Sequence, residues 1–218
     1  MNQRLTHESH ISVSICGRYL VDIPDGKGPF PLLLGFHGYG QTAEDELDVL
    51  RGIAAGSGWC CCAPEALHQF YARGGRYGCS WMTSRNRQLR IGENLSYVNA
   101  VLEELHDRYP LDSTLVLHGF SQGTAMAVRT ALLAERAPAA VMLCGGDVPA
   151  EYGALERLRR VHLARGRRDP LYTPERFSRD EARLTAAGVA GGTVVYDASH
   201  VCSGEYIDAA SSFLRSIR

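Results

Sequence analysis

The 218-residue sequence predicts a single α/β domain built on a mostly parallel central sheet with helices on both faces. Three observations carry this. Short, continuously apolar runs, such as residues 31–36 and 58–63, have the character of strands buried on both sides. Stretches of helical spacing alternate with them, at separations that suit the crossovers parallel strands require. No repeat, low-complexity tract or linker divides the chain, so residues 1–218 read as one domain.

In chain order, residues 11–23 alternate polar and apolar before Pro24-Asp25-Gly26, which predicts an antiparallel strand or hairpin arm. Residues 31–36 are a buried strand, 43–55 a helix ending near Gly56, and 58–63 a second buried strand closed by Pro64. Residues 65–92 break the pattern. They hold Gly74-Gly75, Gly78, Trp81 and five arginines (Arg73, Arg76, Arg85, Arg87 and Arg90), and read as a long excursion with at most a short helix. Helical spacing returns over 93–108, with Leu95, Val98, Val101, Leu102 and Leu105 on one stripe, and Pro110 stops it. Strands follow at 115–117, 139–143, 161–164 and 193–196, with helices at 122–136, 174–187 and 206–217.

Composition narrows the function. An apolar share of 45% and a charged share of 22% are ordinary for a globular enzyme. A formal net charge of -1 provides no global basic field for nucleic acid or an anionic membrane. No apolar run approaches the roughly 20 residues that span a bilayer. The amino terminus lacks an apolar signal core, so a cytoplasmic protein is expected. The seven cysteines show no CxxC spacing, which argues against a zinc site or disulfide framework. Cys60, Cys61 and Cys62 read as small buried hydrophobes, alternating between the faces of a strand.

The chemistry centres on Gly119-Phe120-Ser121-Gln122-Gly123, a G-x-S-x-G pattern between an apolar strand and an Ala-rich helix. A serine on such a sharp turn sits at strained backbone angles, and the flanking positions must be small for strand and helix to approach. The turn also opens a helix, whose free N–H groups favour a developing oxyanion. A serine hydroxyl needs a base, and in this strand–turn–helix arrangement the order is serine, acid, histidine. Asp169 follows one late strand and His200 the next, so both reach the carboxyl edge of the sheet. His200 is the expected base and Asp169 the residue that orients it.

Competing residues have simpler readings. Asp147 also follows a strand and is the alternative acid, whereas Asp197 reads as a solvated strand-end carboxylate. His118 reads as packed and satisfied inside a strand. His68, His106 and His162 have surface or packing roles, and His7 and His10 lie near the terminus. Phe36-His37-Gly38-Tyr39-Gly40 follows the first buried strand and can aim a backbone N–H at a substrate carbonyl. Tyr39 and Gln122 are the expected oxyanion donors, each worth about 3 kcal/mol of barrier, and His37 braces the loop.

With these residues placed, the chain from about residue 31 onward resembles the carboxylesterase/lysophospholipase family that includes acyl-protein thioesterases. The resemblance rests on Phe36-His37-Gly38-Tyr39-Gly40, Ser80-Trp81, the serine turn, Gly166-Arg167-Arg168-Asp169-Pro170 and Ser199-His200. It implies an α/β-hydrolase fold with a Ser121, Asp169, His200 triad, oxyanion donors at Tyr39 and Gln122, and Trp81 beside the acyl site. Thr124, Arg165, Ser199 and the segment Met82-Thr83-Ser84-Arg85 depart from the family pattern and leave the substrate open. Dienelactone hydrolases share the fold but use cysteine where Ser121 stands.

No cap-sized insertion separates Gly146 from the strand near Val161, so a fairly open site is expected, roofed mainly by residues 65–92. Trp81, Met82 and Tyr77 are candidates to line an acyl pocket, against a small packed loop cluster. The arginines of that stretch could attract a carboxylate or phosphate, against the simpler reading of a solvated basic loop. The expected substrates are esters or thioesters of short to medium acyl chains. A non-catalytic binding protein of the same fold and a hydrolase of lactones or peptides are the alternatives. No metal or organic cofactor is expected. A homodimer would suit the family, although nothing in the pattern demands one.

Overall fold

In the computed structural model, which describes residues 6–217, the apolar runs become the strands of one seven-stranded sheet. The elements are β1 (Tyr19–Asp22), β2 (Phe30–Phe36), α1 (Ala43–Ala54), β3 (Cys60–Pro64), β4 (His68–Tyr71), β5 (Tyr77–Ser80), α2 (Arg87–Arg108), β6 (Leu111–Phe120), α3 (Gln122–Leu133), β7 (Ala140–Cys144), a 3-10 turn at Leu155–Leu158, β8 (Arg160–Gly166), α4 (Pro174–Ala186), β9 (Ala190–Tyr196) and α5 (Gly204–Arg215). The sheet runs β1-β3-β2-β6-β7-β8-β9, parallel except for β1, while β4 and β5 form a separate antiparallel hairpin. No helix among the described residues is long and apolar enough to cross a membrane.

That strand order contains one reversal. From β2 the chain moves outward to β3. It then returns to the other side of β2 as β6, and grows away through β7, β8 and β9. The switch point therefore lies between β2 and β6, whose carboxyl ends pair at Phe36 and Gly119. Helices leaving two such strands go to opposite faces and open a crevice between them. Two apolar layers reflect this. Leu47, Leu50 and Ile53 of α1 pack with Tyr206, Ala210 and Leu214 of α5 on one face. Val98, Val101, Met126, Ala127, Phe177 and Leu184 bring α2, α3 and α4 onto the other. Strand β2 is buried throughout, with Leu32, Leu34 and Phe36 in one layer and Leu33 in the other. In β3, Cys60 and Cys62 face one layer and Cys61 the other; burial pushes the Cys60 and Cys61 thiols up to about 11 and about 12.

Two expectations need correction. The alternating segment 11–23 pairs only at Tyr19–Asp22, and Ile11, Val13 and Ile15 are exposed. Its partner β3 has five residues and ends at Pro64, so there is no further strand to pair with. The excursion 65–92 is not a loop with a short helix. It holds the β4–β5 hairpin and the first six residues of α2, which is 22 residues long.

His162 lies on β8 against Tyr206 and Phe213, and its buried Nδ1 has no hydrogen-bond partner among the described residues. Burial lowers its pKa to about 4, with nearby His118 adding to the effect. The unfolded chain thus takes up this proton near pH 6.5 and the folded chain only near 4. The stability linked to the neutral imidazole is complete above pH 6.5 and is lost as pH falls toward 4. At pH 5.5 the loss is roughly 1 kcal/mol. Between pH 7.5 and 5.5 the wild-type Tm should therefore drop about 2–4 °C more than that of His162→Phe, read by calorimetry. Parallel profiles would refute this.

Candidate active site

Ser121 joins β6 to α3 at φ 53° and ψ −114°, a backbone region that L-residues rarely occupy. The surrounding packing leaves it little alternative. A Cβ on Gly119 would lie 2.4 Å from the Gly123 carbonyl oxygen, and one on Gly123 would lie 1.9 Å from that of Phe36. The Ser121 amide donates to the Cys144 carbonyl at 2.8 Å, tying the turn to the end of β7. Thr124 Oγ1 donates to the carbonyl of Ser121 at 2.7 Å and lies within 3.3 Å of that of Asp147. The threonine thus stitches the turn to the next loop.

Ser121, His200 and Asp169 form one hydrogen-bonded chain. His200 Nε2 is 2.8 Å from Ser121 Oγ, and Nδ1 is 2.7 Å from Asp169 Oδ2. The other carboxylate oxygen, Oδ1, accepts from the amides of Leu171 at 2.8 Å and Tyr172 at 3.0 Å. An ionised carboxylate only accepts, so Nδ1 carries the proton and the lone pair of Nε2 faces the serine. Asp147 and Asp197 stand elsewhere: Asp147 pairs with Arg176 and Arg179, and Asp197 with Arg168.

The acid and histidine loops are held against each other. A Cβ on Gly166 would lie 2.1 Å from the Ser199 carbonyl oxygen, so glycine permits the approach. The Arg168 amide donates to the Ala198 carbonyl at 2.9 Å, and Ser199 Oγ reaches the Arg168 carbonyl at 3.4 Å. Buried Arg165 donates from Nε to the Tyr172 carbonyl at 3.1 Å and from Nη2 to that of Arg167 at 3.3 Å, bracing the acid loop from beneath.

In the loop after β2, the Gly38 amide donates to Gln41 Oε1 at 2.7 Å, Gly40 to the Cys79 carbonyl at 2.8 Å, and Gln41 to that of Gly38 at 3.2 Å. Among the described residues the Tyr39 and Gln122 amides donate to nothing. His37 is buried. Its Nε2 accepts from the Ala66 amide at 3.1 Å, so Nδ1 is the donor to the Gly38 carbonyl at 2.7 Å. Burial lowers its pKa and keeps it neutral. The Tyr39 ring is exposed and stacks on Phe70, with centroids 5.1 Å apart.

Residues 65–92 act more as a buttress than a roof. Strand β5 exchanges hydrogen bonds with the loop after β2, the Cys79 amide donating to the Gln41 carbonyl at 3.1 Å. Trp81 lines the cleft but is otherwise buried, donating from Nε1 to the His37 carbonyl at 3.0 Å and meeting Phe36 edge-on. Met82 also lines the cleft. Tyr77 does not, and its hydroxyl donates to Glu65. Sequence reasoning missed the work of the Gln122 side chain: Oε1 accepts from the Trp81 amide at 2.8 Å and Nε2 donates to the Met82 carbonyl at 3.0 Å. Asn94, also unanticipated, donates to the Trp81 carbonyl at 2.7 Å.

The cleft has a volume of about 800 Å³ and runs from Ser121 and His200 between residues 81–87 and 145–151. Arg87 is the one member of the predicted arginine group on its wall. Arg76 instead donates to the Gly40 carbonyl and Arg90 pairs with Glu93. Arg129, Arg176, Arg179 and Arg183 join it from α3 and α4. Only Arg129 left a trace in the sequence, as the lone charge in Gln122–Leu133. Paired substitutions test the close packing of the turn. Gly123→Ala should cost roughly 1–3 kcal/mol or more by overpacking. Gly92→Ala, in helix α2 with open space around it, should add about 0.5–1 kcal/mol. Urea denaturation reads both, and equal effects would contradict the packing argument.

Residues 26–217 match the model of the phospholipase/carboxylesterase family. Solved structures of similar fold include esterase PE8 (TM-score 0.70, 24% identity, 93% of this chain and 98% of that one). The Bacillus cereus carboxylesterase has a TM-score of 0.72 at 17% identity, covering 93% and 95%. SOBER1 of Arabidopsis thaliana has 0.70 at 16% identity, covering 86% and 98%. At such identities the likeness concerns the fold. No curated protein matches the sequence significantly.

Proposed function

The chain belongs to the phospholipase/carboxylesterase family and has the α/β-hydrolase fold, and from that premise we propose that it is a serine hydrolase of carboxylic esters or thioesters with short to medium acyl chains. The observation that carries this reading is the continuous hydrogen-bonded chain Asp169–His200–Ser121, ending in a bare Nε2 at the serine hydroxyl. Ser121 Oγ attacks the acyl carbonyl while His200 Nε2 takes its proton. Negative charge gathers on the carbonyl oxygen, and the unspent amides of Tyr39 and Gln122 donate to it. The C–O or C–S bond then breaks, with His200 returning the proton to the leaving alcohol or thiol. Water, deprotonated by His200, attacks the acyl-enzyme, and the released acid regenerates Ser121. Asp169 stays ionised throughout, holding the imidazole tautomer and stabilising its cation. Met82, beside the serine in the same cleft, contacts the acyl chain, and the buried Trp81 backs that wall.

Ser121→Ala should abolish hydrolysis of p-nitrophenyl butyrate and labelling by a fluorophosphonate, while leaving the Tm near wild type. Retained hydrolysis would remove Ser121 as the nucleophile. Asp169→Asn can still accept from Leu171 and Tyr172, but it turns an N–H toward His200 and reverses the tautomer. A loss of about 10⁴-fold in kcat is expected, and a loss below tenfold would take that role from Asp169.

A further inference from the structure

Five arginines line the cleft: Arg87 on α2, Arg129 on α3, and Arg176, Arg179 and Arg183 on α4. The carboxylates set against them are Asp147, Glu151 and the buried Asp180, leaving an excess of two positive charges. Two of the five are occupied with structure. Arg183 donates to the carbonyls of Val148, Pro149 and Tyr152, and Arg176 is spent on Asp147 and the Leu171 carbonyl. Arg87, Arg129 and Arg179 are less fully engaged.

Arg129 is the informative member. It is only 4% exposed, yet among the described residues its guanidinium makes one hydrogen bond, from Nη2 to Glu151 Oε1 at 3.2 Å, and its buried Nε has no partner. The same Glu151 oxygen also accepts from Arg87 at 2.6 Å, so one carboxylate oxygen serves two cations. A buried guanidinium so poorly paired is costly. Guanidinium forks suit carboxylates and phosphates, which can take two N–H groups at once. Arg129 lies eight residues along α3 from Ser121, about 12 Å along the helix axis, and this separates the arginine end of the cleft from the serine by a medium chain length.

We infer that the arginine end of the cleft is an oxyanion subsite, and that the preferred substrate is an ester whose chain ends, a medium length from the scissile carbonyl, in a carboxylate or phosphate. The inference rests on the esterase reading above and narrows its substrate class.

Mono-p-nitrophenyl adipate and p-nitrophenyl hexanoate test it, since they match in chain length and differ in the terminal carboxylate. The wild-type enzyme should favour the adipate ester by about tenfold or more in kcat/KM, and added salt should shrink the preference. Arg87→Gln and Arg179→Gln, at partly exposed positions, should each lower the adipate-to-hexanoate ratio severalfold. Arg129→Gln should bring it near one, with a thermal melt to verify folding. Adipate and hexyl phosphate, as competitors of the hexanoate ester, separate the two oxyanions: the tighter inhibitor identifies the group the subsite takes. Equal kcat/KM for both esters in wild type and variants, with inhibition by neither competitor, overturns the subsite alone. Hydrolysis of neither ester overturns the esterase reading itself.

Discussion

The backbone of Gly123 lies so close to the end of β2 that a Cβ there would sit 1.9 Å from the Phe36 carbonyl oxygen, and the geometry of the cleft follows from that approach. It brings the first turn of α3 against the loop carrying Tyr39, although the two segments are more than 80 residues apart in sequence. It also forces Ser121 to φ 53°, because the chain must leave β6 and enter α3 within one residue. Strain of this kind persists only where the surroundings over-determine it. Here the Cys144 carbonyl, the Thr124 hydroxyl and the two flanking glycines do so.

Three side chains tie together the loops around the serine turn. Thr124 binds the serine turn to the Asp147 loop, Arg165 holds the acid loop by two carbonyls, and Ser199 reaches across to the Arg168 carbonyl. Each adds hydrogen bonds within or between the loops that carry Ser121, Asp169 and His200. Hydrogen-bonded networks of this sort rigidify what they join when every member is satisfied. The hairpin β4–β5 does the same for the Tyr39 loop through Cys79, which explains why residues 65–92 pack beside the site instead of arching over it.

The electrostatics of the cleft run against economy. A helix of small and apolar residues carries one buried arginine, and α4 presents three more to the same space. Replacing buried ion pairs with apolar groups is often neutral or stabilising, so packing alone does not account for such a concentration. This charged wall stands beside Met82, with the buried Trp81 behind it.

The sequence by itself determined what short-range rules govern. Buried strands were legible as unbroken apolar runs, helices as stripes, and the serine turn as glycines flanking a strand–helix junction. Asp169 and His200 were legible because both follow strands and so reach the same sheet edge. Tertiary structure decided the rest, because it depends on partners distant in sequence. Whether residues 11–23 pair is settled by the five-residue length of β3, so only Tyr19–Asp22 does. The hairpin and the early start of α2 hide among glycines and arginines whose local preference is for loops, and contacts with Gly40, Gln41 and Gln122 override it. The arginine wall was invisible because α2, α3 and α4 meet only when folded. Spacing along a chain encodes one face of one helix, and carries nothing about which faces of three helices share a cleft.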